Sequence, residues 1–172
     1  MADRRHPYRD RLTSRRTSLL FIALLALFTG LLSLRLARHG MDGWAWFFFA
    51  GAAFFLFYTL NFNVLELSID EPRLDLRFGI FRWGVALEQV AAVYMDPSSL
   101  WRIGGAGIHF SFFGGMYRAM FNFLEYPRVV LRLKYRRGPV QEIAFSTREP
   151  HAVLARLAAA GVAIGRSAAG EA

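Results

Sequence analysis

The sequence predicts an α+β membrane protein in which a hairpin of two apolar helices leads into a β-rich domain closed by a single helix. Two long uncharged segments predict the hairpin, and a change after Leu65 to alternating apolar and polar residues predicts the domain. Composition agrees, since 55% of the 172 residues are hydrophobic and 20% charged, against a usual apolar share of about 45–50%. This length argues against multidomain enzymes and long repeat arrays. With no cysteine in the chain, disulfides, thiol chemistry and Cys-ligated metals are excluded.

The first span is expected over residues 18–36. Its uncharged part, SLLFIALLALFTGLLSL, makes roughly 25 Å of helix, slightly short of a bilayer core of about 30 Å, and Arg35 can snorkel at its end. The second covers residues 43–65, with Trp44 and Trp46 at one boundary, Tyr58 near the other, and Asn61 and Asn63 marking its exit. The competing reading is a buried helical hairpin of a soluble protein. Ala26 with Gly30, and the run Ala50 to Ala53, are small residues suited to close packing of the two helices, or to self-association or another membrane protein. Neither span holds an ionisable residue in its interior, which counts against ion coupling or transport.

Residues 1–17 read as a basic tail carrying Arg4, Arg5, Arg9, Arg11, Arg15 and Arg16, whereas the short loop after the first span has only Arg35 and Arg38. The positive-inside bias then places both termini in the cytoplasm. A twin-arginine export signal at Arg15-Arg16 is the weaker reading, because no small-x-small cleavage site follows. Nucleic-acid binding is not expected: the tail lies directly against a span, where it would set topology or, as the second reading, bind anionic headgroups of the cytoplasmic leaflet, and basic and acidic residues nearly balance after Leu65.

Residues 66–164 form the expected domain. Leu65, Leu67 and Ile69 alternate with polar residues, Glu71-Pro72 turns the chain, and Leu74, Leu76 and Phe78 alternate in return. Residues 80–86 and 88–95 read as the third and fourth strands, 108–113 as the fifth, 128–136 as the sixth and 140–146 as the seventh. Ser146 or Thr147 caps a closing helix, with Pro150 in its first turn, Val153, Leu154 and Leu157 as its apolar stripe and Gly161 at its end. Residues 165–172 read as a disordered tail.

Three short motifs, Leu76-Arg77-Phe78-Gly79-Ile80-Phe81-Arg82, Val85 to Val90, and Leu100-Trp101-Arg102-Ile103-Gly104, resemble in their order those of bacterial pleckstrin-homology-like domains that follow paired membrane helices. The ending Phe145 to Pro150 is also similar. The resemblance covers residues 66–161 and implies a partly open seven-stranded β-barrel capped by a C-terminal helix, in a family not known for enzymes. Ala86 stands where the family often has proline, and residues 104–127 are longer and more aromatic than its usual fifth-strand region. Arg73, Arg77 and Arg82 lack the dense basic clustering of the eukaryotic phosphoinositide motif, so likeness of fold does not carry lipid specificity with it.

No catalytic constellation emerges, and no cofactor is expected. His6, His39, His109 and His151 lack metal-ligand spacing, no G-x-S-x-G elbow is present, and Glu125 and Glu142 could be neighbours in space, although surface carboxylates are the commoner explanation. Gly104 to Gly107 could form an anion nest, yet no Lys-Ser/Thr follows, so a loop before a strand is the simpler reading. The segment Phe112 to Tyr126 places Met116, Met120 and Phe123 on one face if helical, with Tyr117, Phe121 and Leu124 beside them. That stripe would pack on the barrel, lie on the bilayer or dock a partner. The first functional hypothesis is a non-enzymatic, membrane-anchored interaction module for a membrane-protein partner, with homo-oligomerisation open. The second is an anionic-lipid-sensing domain in which Arg102, Arg118 and Arg128 reach headgroups. Met116, Tyr117, Met120 and Phe121 complete the candidate contacts under either hypothesis.

Overall fold

A computed structural model describes residues 7–99, 105–113 and 115–165. Two long apolar helices, α1 (Arg15–His39) and α2 (Gly43–Asn61), follow strand β1 (Tyr8–Thr13) and precede the β domain. The domain runs through β2 (Val64–Asp70), β3 (Arg73–Phe78), β4 (Phe81–Ala86), a 3-10 turn at Leu87–Gln89, β5 (Val90–Met95), β6 (Gly107–Phe113), β7 (Met116–Asn122), β8 (Arg128–Arg137) and β9 (Val140–Ser146). Helix α3 (Pro150–Ala159) and strand β10 (Ala163–Ile164) complete it. One sheet has the order β1-β2-β3-β4 and the other β10-β5-β8-β9-β7-β6.

The helices start and stop on local signals. The Ser14 hydroxyl accepts the Thr17 N–H at 3.0 Å, Gly40 ends α1 with φ of 69°, and the Asp42 carboxylate accepts the Ala45 N–H at 2.9 Å to start α2. Arg35 Nε donates to Asp42 at 2.9 Å and clasps the turn of the hairpin. At 25 and 19 residues the helices are about 38 and 28 Å long, enough for a bilayer core. Little of either is covered by the rest of the chain, and Leu60, for example, is 70% exposed. A buried soluble hairpin would not leave these faces bare, and the pair fits a membrane protein. Helix contact uses Gly51, where an added Cβ would lie 2.0 Å from the Phe28 ring, and not Gly30, which has nothing within 4 Å. The small pair Ala26 and Gly30 therefore faces away from α2.

Among the described residues, ten strands replace the seven expected, and two separate sheets replace the barrel. The first added strand is β1, antiparallel to β2 with Leu12 opposite Leu65, in what read as a free basic tail. Tyr8, Asp10 and Leu12 face inward while the arginines between them face out, so a charged composition conceals a half-buried strand. The second is β7, in the stretch read as helical. Its alternation is real, with Ala119 and Phe121 in the main core and Arg118, Met120 and Asn122 on the other face, but both faces are buried. A strand buried on both faces carries no polar marker of its period. The third, β10, pairs parallel with β5, and residues 166–172 lie outside the described residues.

The core lies between the sheets. Leu67, Leu76 and Phe78 from the first meet Phe121, Leu131 and Phe145 from the second, with Val153 and Leu157 of α3 closing one side. The hairpin is built into this core. Phe62, just after α2, packs its ring 4.9 Å from Phe78, and the Leu124 N–H donates to Thr17 of α1 at 3.3 Å. Because β1 pairs with β2, the start of α1 and the end of α2 lie on the same side of the hairpin.

Candidate functional site

Arg118 and Arg128 do not reach outward to headgroups. Arg118, on β7, is 3% exposed; it donates through Nε and Nη2 to Glu142 of β9 at 3.0 and 2.7 Å and through Nη1 to Asp96 at 3.3 Å. Arg128, on β8, donates through Nε to the other Asp96 oxygen at 2.9 Å and through Nη2 to the Ser98 carbonyl. The Tyr94 hydroxyl on β5 donates to Glu142, and Arg132 Nε adds a contact at 3.3 Å. These groups occupy the face of the second sheet turned away from the main core, beside a small apolar cluster of Tyr94, Met120, Val130 and Ala144. The pairing is a consequence of register: Arg118 stands opposite Glu142 in the parallel β7–β9 ladder, and Arg132 opposite the same residue across β8–β9.

The electrostatics follow from that enclosure. Burial pushes the Asp96 carboxyl up, but hydrogen bonds from Arg128 and Ser98, with the charge of Arg118, outweigh it and hold the group below its ordinary value. Burial, reinforced by the adjacent Glu142, pushes the Tyr94 phenol up to about 12, so it stays a donor across the physiological range. A carboxylate depressed in the folded state contributes stability above its unfolded value of 3.8 and loses it as pH falls through the folded value. Thermal unfolding of the full chain in detergent is expected to be flat down to about pH 5 and to weaken below about pH 4, with Asp96→Asn flattening that acid limb.

The remaining candidates separate. Met120 and Phe121 are fully buried on opposite faces of β7, and Met116 and Tyr117 are half-buried at its start. Arg102 lies outside the described residues. Glu125 and Glu142 have different partners: Glu125 faces Arg16 at 3.7 Å, while Glu142, expected at the surface, belongs to the buried network.

Two surface features take shape only in the fold. Among the described residues, edge strand β6 pairs only with β7, and it presents Phe110 and Phe112 to the outside, Phe112 being 71% exposed, with Phe110 stacked on Tyr117 at 5.7 Å. On the outer face of the first sheet, Arg9, Arg11, Arg77 and Arg82, together with Asp10, Glu66 and Asp75, line an open cleft of about 470 Å3. The alternation of β6 was legible, but its place at a sheet edge depends on the crossing from β5 to β6. The arginines come from separate parts of the sequence, and only strand register joins them. Comparison of the chain with protein-family models, with curated proteins and with solved structures returned no match.

Proposed function

We propose that the protein is a non-enzymatic interaction module anchored by two spans in a bacterial inner membrane, with both termini cytoplasmic, and that it binds a protein partner at the cytoplasmic membrane face. The kinship with pleckstrin-homology-like domains is part of this proposal and rests on the motifs between Leu76 and Gly104. The observation that carries it is the β6 edge: seven residues long, without a second neighbouring strand among the described residues, and bearing two exposed phenylalanines. Edge strands of stable proteins are usually short, charged or covered, because an open edge invites another strand. An aromatic edge suits an extended partner segment, whose backbone would add to the sheet while its side chains pack on Phe110 and Phe112.

A photo-crosslinking residue at Phe112, in the full chain in native membranes, is expected to give one discrete protein adduct. The same residue at Tyr135, 80% exposed on β8, serves as control and should give none. Phe110→Ser with Phe112→Ser should abolish co-purification of that protein without lowering expression, since neither ring belongs to the core. Undiminished co-purification, or equal adducts from both positions, would remove the β6 reading.

A further inference from the structure

We propose that the outer face of the first sheet binds the phosphate-bearing headgroup of an anionic lipid, in the leaflet from which β1 and β2 emerge. The site goes beyond the β6 edge and does not depend on it. It rests on the membrane reading of α1 and α2.

Strand register builds the site. Arg11 stands opposite Glu66, Glu66 opposite Arg77, and Arg77 opposite Arg82, so one rung across four strands carries three guanidinium groups and a single carboxylate. Glu66 is shared at long range, 3.7 Å from Arg11 and 3.8 Å from Arg77. Arg82 has no carboxylate partner among the described residues, nor has Arg9, one rung farther along. Like charges directly opposite one another destabilise a sheet, which makes the Arg77–Arg82 pair a cost that a bridging anion would offset. Phosphate suits it, because planar guanidinium forks bind phosphate oxygens in pairs.

Depth and shape point to a lipid as the source of that phosphate. A hollow of about 230 Å3, lined by Arg11, Asn61, Glu66 and Arg77 among others, lies at the end of α2 and shares Arg11, Glu66 and Arg77 with the larger cleft. Glu66 lies two residues into β2 from Val64, about 7 Å along the strand, and the headgroup layer extends roughly 5–7 Å beyond the hydrocarbon core. Between Arg77 and Arg82 the β3–β4 turn presents Ile80, 73% exposed, and the exposed ring of Phe81. That turn is pressed onto the end of α2: a Cβ on Gly79 would lie 2.2 Å from the Asn61 carbonyl oxygen, and Phe81 stacks 5.9 Å from Phe62. An apolar tip continuous with the bare surface of α2, flanked by paired arginines, is the arrangement that inserts among acyl chains while holding a headgroup.

The test uses the purified full chain in non-ionic detergent, with native mass spectrometry of bound dioleoyl phosphatidylglycerol against dioleoyl phosphatidylcholine. We expect about a tenfold preference for the anionic lipid, lost in Arg77→Gln with Arg82→Gln and kept in Lys134→Gln with Arg136→Gln, which removes equal charge from exposed positions on β8. Ile80→Ser with Phe81→Ser should weaken lipid binding as well. A preference that survives loss of Arg77 and Arg82, or that falls equally in the β8 variant, overturns the site. Competition by soluble glycerol phosphate at the lipid's own concentration overturns the lipid as source. Crosslinking from Phe112 should persist in the Arg77, Arg82 variant, so failure of this site and failure of the β6 reading remain distinguishable.

Discussion

Glu142→Ala is expected to destabilise the protein by about 3–5 kcal/mol, because it removes one carboxylate from a network that is otherwise sealed. The Glu142 side chain is fully buried and takes hydrogen bonds from Arg118, Tyr94 and Arg132. Without it, the guanidinium of Arg118, itself 3% exposed, shares the Asp96 carboxylate with Arg128. A buried cation short of its counter-charge is far costlier than a surface pair broken in water. Arg132→Gln is the internal comparison: its side chain is 35% exposed, and its loss should cost less than about 1 kcal/mol. Denaturant unfolding of the full chain in detergent measures both. If Arg118 and Arg128 instead faced headgroups, removing Glu142 would leave stability unchanged and strengthen anionic-lipid binding.

Leu12→Ala is expected to cost about 2–5 kcal/mol, the usual range for truncating a fully enclosed leucine. Leu12 has no exposed surface, lies opposite Leu65 and belongs to the main core. The strand is also tied at its other end, where Asp10 accepts the Thr147 hydroxyl at 3.1 Å ahead of α3. Trypsin offers a second readout, since Arg9 and Arg11 lie in β1 and should be cut slowly in the native chain and quickly in the variant. A free basic tail would show neither effect. The result bears on function because β1 delivers Arg9 and Arg11 to the cleft and fixes the start of α1 beside the end of α2.

Much of the architecture is legible residue by residue. The uncharged segments become α1 and α2, the alternation from Val129 to Tyr135 becomes β8, and Pro150 with Gly161 brackets α3. Each depends on neighbours a few positions away, on a period of 3.6 or 2 and on a capping or turn residue. The misreadings share a different cause. In β1 the arginines dominate the composition although only every second residue faces water, and in β7 Met116, Met120 and Phe123 mimic a helical face because both sides of the strand are covered.

Candidate sites were less legible than elements, because a side chain's charge does not state its surroundings. Arg118 and Arg128 read as surface cations, yet Asp96 and Glu142, distant in sequence, enclose them, and Arg77 and Arg82 read as an ordinary hairpin until β1 adds Arg11 to the same rung. The amino-acid sequence by itself determined two apolar helices, most of the strands, the closing helix and the absence of cysteine chemistry. Only the tertiary structure decided which arginines are buried, which strand forms an open edge and which charges gather beside the hairpin. Burial and register are set by pairings between residues far apart in the chain, and local periodicity carries no information about them.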